Sequence, residues 1–156
     1  MNSFRLVEDG IFIGSQPTSG DLEDARLQGV KTVIDFRLPS ETATSNETLV
    51  RSHGLDYKNI PMNKERLSAD QIGDLGAAMQ SKPGPFLLHC ATGLRAALLL
   101  ALSKAKKNGW TAEQTFEHAQ TIGFELRTSP VYSSFVKLAV SDNTWQRDQI
   151  VPPEST

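Results

Sequence analysis

The segment Phe86-Leu87-Leu88-His89-Cys90-Ala91-Thr92-Gly93-Leu94-Arg95 runs an apolar stretch into the chain's one cysteine, then through small residues to an arginine. From Leu94 to Lys107 the sequence is rich in Leu and Ala, the composition of a helix buried on most faces, and Asn108-Gly109 ends it. A strand that passes into a buried helix within a few residues demands a sheet with that helix packed on it. The same layout makes an anion cradle around a thiolate. The helix aims its unpaired N-terminal N–H groups and positive dipole end at Cys90, which favours an ionised sulfur and holds a phosphate or sulfate.

The flanking sequence repeats the alternation. Leu6, Ile11 and Ile13 around Gly10 read as a short hairpin, ended by Gly14-Ser15-Gln16-Pro17. Ser19 or Asp21 is placed to cap a helix over Leu22 to Gln28 that Gly29 stops, and Lys31 to Phe36 is a β-branched strand. Glu41 to His53 is polar with weak helical character, and Asp56 to Ile60 is a further strand stopped by Pro61. Ser68 with Gln71 matches a capping box for a helix toward Gln80, before the break Lys82-Pro83-Gly84-Pro85. Thr111 with Gln114 repeats that pattern, and Ser129-Pro130 opens a last helix through Val140. Strands separated by helices predict an α/β fold whose central, mainly parallel sheet of about four to five short strands carries helices on both faces. Residues 1–141 are expected to form one domain and 142–156 a flexible tail. Sites in such sheets form at the carboxyl ends of strands, where Cys90, Asp35 with Arg37, and the loop after Ile60 come together.

Composition narrows the function classes. A net charge of −2 gives no electrostatic footprint for nucleic acid or an anionic membrane, and no apolar run approaches the length of a bilayer span. No basic segment precedes an apolar one at Met1, so a cytoplasmic location is expected. One cysteine excludes an internal disulfide, and His53, His89 and His118 have no metal-ligand spacing, so neither metal nor organic cofactor is expected. His118 is expected on a solvated helix face, Trp110 in the core and Trp145 in tail packing, with no aromatic stripe for nucleic-acid stacking.

A thiolate attacks a phosphate ester when backbone N–H groups and a planar cation hold the three outer oxygens and the sulfur stands in line behind phosphorus. Cys90 is the candidate nucleophile. The amides of Ala91, Thr92, Gly93, Leu94 and Arg95 would wrap the oxygens, Ala91 and Gly93 permit the tight turn, and Arg95 supplies a bidentate clamp. His89 would orient the cysteine from behind. A lone cysteine in an apolar strand is ordinarily inert core, but an arginine in an otherwise apolar first helical turn asks for an anion or a carboxylate to meet it. Arg37 and Glu41 are expected to pair across a turn.

Three segments, Glu8 to Pro17, Thr32 to Arg37 and His89 to Arg95, together resemble the bacterial beta-lactamase hydrolase-like phosphatase-like family, which is related to protein tyrosine and dual-specificity phosphatases. The resemblance runs in order from Phe4 to Val140. It implies a compact three-layer phosphatase-like fold and hydrolysis of a phosphorylated protein or small phosphate ester through a phosphocysteine. Related phosphatases take their general acid from an aspartate on the loop after the strand preceding the cysteine strand. Here that loop, Pro61 to Asp70, carries only Glu65 and Asp70, with Asp35 a third candidate; Asp70 also suits the helix dipole, and Glu65 a solvated loop.

This chain departs from the usual phosphatase loop in spacing. Four residues separate Cys90 from Arg95 where phosphatases have five, and Ala96 replaces a hydroxyl residue. One residue fewer rotates the arginine by about 100° at roughly 3.6 residues per turn. Rhodanese-type sulfurtransferases share the shorter spacing, so a persulfide handler is the alternative enzyme class, and a non-catalytic phosphate-binding module is a third reading.

Overall fold

Along the central strands, alternate side chains enter two different cores. Leu87, Val33 and Phe12 pack in one with Leu22, Ala25 and Val50. Leu88, Ile34 and Ile13 pack in the other with Ile72, Leu75, Leu98 and Val136. The two-residue period of a strand sends successive residues to opposite faces, so a run of consecutive apolar residues requires cover on both sides. The computed structural model describes residues 4–41 and 46–141, and the expected flexible tail, with Trp145, lies outside them.

Five strands form the sheet: β1 (Phe4–Glu8), β2 (Ile11–Gly14), β3 (Thr32–Asp35), β4 (Asp56–Asn59) and β5 (Phe86–His89), in the order β1-β2-β5-β3-β4. Only the β1–β2 hairpin is antiparallel; β2, β3 and β4 join the parallel array around β5. Among the described residues there are six α-helices: α1 (Ser19–Leu27), α2 (Asn46–Ser52), α3 (Ala69–Ser81), α4 (Leu94–Asn108), α5 (Ala112–Thr121) and α6 (Pro130–Ser141). Helices α1 and α2 supply one cover, and α3 to α6 the other.

Several expected boundaries shift for local reasons. Thr18, not Ser19 or Asp21, caps α1: its hydroxyl accepts from Asp21 N at 3.0 Å, and the Asp21 carboxylate accepts from Thr18 N at 2.9 Å. Helix α1 therefore begins one turn before Leu22. The capping boxes at Ser68–Gln71 and Thr111–Gln114 form as expected. The polar segment from Glu41 to His53 resolves into a short 3-10 turn, Pro39–Glu41, and helix α2. His118 is not simply solvated, since its ring lies 5.0 Å from that of Trp110 and burial lowers its pKa. Among the described residues no helix is long and apolar enough to cross a membrane.

Candidate functional site

Because β2, β5, β3 and β4 run parallel, their carboxyl ends open on one edge of the sheet. Cys90 follows β5 there and is buried, with 1% of its surface exposed. The chain then turns sharply, and Gly93 donates its backbone N–H to Cys90 Sγ at 3.0 Å. Gly93 has φ +93°, a conformation that favours glycine, and a Cβ there would also crowd Phe124 Cε1 and Cζ at 3.2 Å. From this cap α4 begins, and Ala97 N–H, bonded to Gly93 O at 3.0 Å, is the first with an acceptor in the helix. The Arg95 and Ala96 N–H groups thus belong to the unpaired first turn.

Arg95, the second residue of α4, reaches across to the ends of β3 and β4. Its Nη1 and Nη2 donate to the two oxygens of Glu41 at 2.7 and 2.6 Å, and Nη1 also donates to Met62 O at 3.3 Å. The pair closes the end of the guanidinium fork and leaves the Nε–Nη2 edge, with two further N–H groups, without a partner among the described residues. The hydrogen bonds from Arg95 hold the Glu41 carboxyl below the usual glutamate range although partial burial opposes it, and Leu38 N–H adds to the effect. Glu41 in turn raises the Arg95 pKa, and the Cys90 sulfur lies close enough to add to that rise. The expected Arg37–Glu41 pair does not form. Glu41 is drawn to Arg95, while Arg37 turns inward and its Nε donates to Asp35 at 3.2 Å.

Asp35 organises a buried polar cluster at the carboxyl end of β3. Its carboxylate accepts from Arg37 N at 2.9 Å, from Asn46 Nδ2 at 2.8 Å and from the Tyr57 hydroxyl at 2.9 Å. Burial pushes the Asp35 pKa up, but the nearby His89 and the bonds from Arg37 and Tyr57 outweigh it and leave it lowered. Burial together with that carboxylate pushes the Tyr57 phenol up. Burial also lowers His89 to about 4, with Asp35 opposing. The imidazole is therefore neutral near pH 7, and its Nε2 faces Asn46 Nδ2 at 3.1 Å. Asp35, Arg37 and His89 thus form one buried cluster at the adjacent carboxyl ends of β3 and β5.

The loop carboxylates are placed differently. Glu65 is exposed in the turn after β4, its own N–H donating to Asn63 Oδ1 at 2.9 Å, and Asp70 is exposed in the first turn of α3. Among the described residues neither is bonded to Cys90 or Arg95. Sequence reasoning missed Glu41 as the partner of Arg95, missed Asn46 and Tyr57, and missed Tyr132 of α6. Tyr132 is buried, burial pushes its phenol up, and the charge of Arg95 pulls the other way. Lys64 lies 5.6 Å from the centroid of its ring. The unpaired Arg95 in an apolar turn was a signal that a carboxylate must exist, without saying which. Nothing in the sequence of α6 singles out its tyrosine.

Sheet order, helical cover and a cysteine loop capping a buried helix define a phosphatase-like α/β fold. The profile of the beta-lactamase hydrolase-like protein, phosphatase-like domain, matches residues 3–107, and the chain belongs to that family. The beta-lactamase hydrolase-like protein of Xylella fastidiosa (strain 9a5c) is 22% identical over 170 residues, covering 94% of this chain and 39% of that protein. This chain thus spans about two fifths of the length of the curated relatives it matches. A structure described as a candidate phosphatase from Neisseria meningitidis Z2491 superposes with a TM-score of 0.73 at 20% identity, over 89% of this chain and 99% of that one. A cysteine-to-serine form of TpbA of P. aeruginosa in complex with pTyr superposes with a TM-score of 0.64 at 18% identity, over 90% and 91% of the two chains.

Proposed function

We propose that this chain is a cysteine-dependent phosphatase that hydrolyses a phosphate monoester, on a phosphorylated protein or a small molecule, through a phosphocysteine. The observation that carries the reading is the open Nε–Nη2 edge of Arg95 beside a cysteine whose sulfur already accepts a loop N–H. Glu41 and Met62 O occupy the rest of the fork, so the guanidinium is fixed before an anion arrives. The complex of TpbA with phosphotyrosine supports a phosphate ester as ligand class.

In this mechanism Cys90 Sγ, as thiolate, forms a bond to phosphorus while the phosphorus–oxygen bond to the leaving group breaks. The remaining N–H groups of residues 91–95, with that of Gly93 kept on Cys90 Sγ, and the Arg95 guanidinium hold the three outer oxygens. Water then attacks phosphorus and gives a proton to the carboxylate that donated in the first step, the sulfur–phosphorus bond breaks, and inorganic phosphate departs as the thiolate returns. The leaving oxygen takes a proton in the first step, and Glu65 and Asp70 are the loop carboxylates proposed to supply it. Both sit exposed and unbonded to the site, so activated esters with good leaving groups are expected to turn over far better than alkyl phosphates. Glu41, ionised against Arg95, positions that arginine rather than giving up a proton.

Turnover of p-nitrophenyl phosphate tests the reading. Wild-type protein hydrolyses it and Cys90→Ser does not; activity that persists unchanged in Cys90→Ser removes Cys90 as nucleophile. The four-residue Cys90–Arg95 spacing favours a sulfurtransferase as the second reading, which predicts thiosulfate-to-cyanide transfer without phosphatase turnover. Phosphate binding with neither activity leaves an anion-binding module.

A further inference from the structure

A pocket of about 280 Å3 adjoins the Cys90 loop on the side of the β1–β2 hairpin, lined among others by Arg5, Ile13, Ser15, Thr92, Gly123 and Phe124. Arg5 is held in place there by two contacts. Its Nη2 donates to Ile122 O at 2.5 Å, and its guanidinium carbon lies 5.2 Å from the centroid of the Phe124 ring. Gly123, at φ +99°, leaves room for it, because a Cβ at that position would collide with the guanidinium. The Phe124 ring that stacks on Arg5 is also the ring that presses on Gly93 in the anion loop. One side chain therefore bridges the cation and the loop.

Pairing sets Arg5 apart from five other arginines. Arg26, Arg37, Arg51, Arg95 and Arg127 each hold a carboxylate. Arg5 has no carboxylate partner among the described residues, and only one of its N–H groups is bonded to protein. Arg5 is exposed at the pocket, and an arginine bonded through one N–H keeps its charge and further donors for a ligand. Ser15 and Thr92 add hydroxyls beside it. The pocket thus offers charge, hydroxyl donors and an aromatic wall next to the place where a phosphate would bind.

We propose that this pocket is a subsite for a second anionic group. The substrate is then a phosphate monoester that carries another phosphate or a carboxylate about one aromatic ring's width from the reacting phosphate. This assignment rests on the reading that the Cys90 loop holds the reacting phosphate.

Two substrates that differ by one carboxylate test it: phenyl phosphate and 3-carboxyphenyl phosphate. The expected kcat/KM favours the carboxylated ester by about tenfold, the scale of one charge-assisted contact. Arg5→Gln brings the ratio near one, and Arg5→Lys, which keeps the charge, restores part of the preference. A ratio that Arg5→Gln does not change overturns the proposal. Calorimetry on Cys90→Ser protein separates this test from catalysis, with inorganic phosphate and fructose 1,6-bisphosphate as probes. The bisphosphate is expected to bind about tenfold tighter, and adding Arg5→Gln removes that advantage. Equal binding of the two probes overturns the subsite even where turnover is seen. Absent turnover with a preserved difference keeps the subsite and overturns the phosphatase reading instead.

Discussion

The carboxyl ends of β3 and β5 lie side by side in the sheet, yet one is chemically closed and the other open. After β3, Asp35 takes hydrogen bonds from Arg37, Asn46 and Tyr57, and both members of its ion pair are almost fully buried. After β5, the Arg95 and Ala96 N–H groups and one edge of the Arg95 fork have no protein partner among the described residues, and the Arg95–Glu41 pair is partly exposed. A cluster whose central carboxylate is satisfied stabilises and orients, although His89 Nδ1 and Asn46 Oδ1 within it have no partner among the described residues. An unsaturated one beside it is what a ligand completes. The contrast predicts that changes to the first region damage the fold, while changes to the second damage binding and leave the fold nearly intact.

The largest expected effect is on the closed side. Asp35→Ala strands the Arg37 charge in the interior and removes acceptors for Asn46 and Tyr57, which should cost about 3–5 kcal/mol of stability in urea unfolding. A loss below about 1 kcal/mol would erase the distinction between the regions. On the open side, Arg95→Lys keeps a charge and loses the planar fork. Phosphate affinity should fall about tenfold to a hundredfold by calorimetry, with stability changed by no more than about 1 kcal/mol because the Glu41 pair is partly solvated.

Acid sharpens the same comparison. His89 is lowered to about 4 from the ordinary histidine value of 6.5, so between those pH values the unfolded chain binds the proton that the folded chain refuses. Its contribution is fully present above pH 6.5 and is lost as the pH falls toward 4. Urea unfolding at pH 7 and pH 5 should differ by about 2 kcal/mol from this residue, and His89→Asn should flatten the difference. The smallest expected effect is a control on α1, whose buried face packs in the core that does not contain Cys90. Thr18→Ala removes the α1 cap, should cost about 1 kcal/mol, and should leave phosphate binding unchanged.

Much of this arrangement was legible in the sequence, and the unreadable part has a physical pattern. The β5–loop–α4 unit is local: an apolar run, a glycine that must adopt positive φ and a long apolar helix are adjacent in the chain. The capping boxes at Ser68 and Thr111 are local too, and both formed. Contacts made over long separations were not readable. Glu41 lies 54 residues from Arg95, and Asn46 lies 43 from His89. Only the fold, by bringing β3 next to β5, makes them neighbours. Near Arg37 two carboxylates compete within a few residues, and the turn geometry gave it Asp35 and freed Glu41 for Arg95. Tyr132 arrives from the far end of the chain, through the packing of α6 against the core that contains Cys90.

The most direct measurement is an acid quench of wild-type protein during p-nitrophenyl phosphate turnover, followed by mass spectrometry of the peptide containing Cys90. The account predicts a phosphoryl group on Cys90 that disappears in Cys90→Ser. Steady turnover with that peptide unmodified, or the phosphoryl group found on another residue, would contradict it.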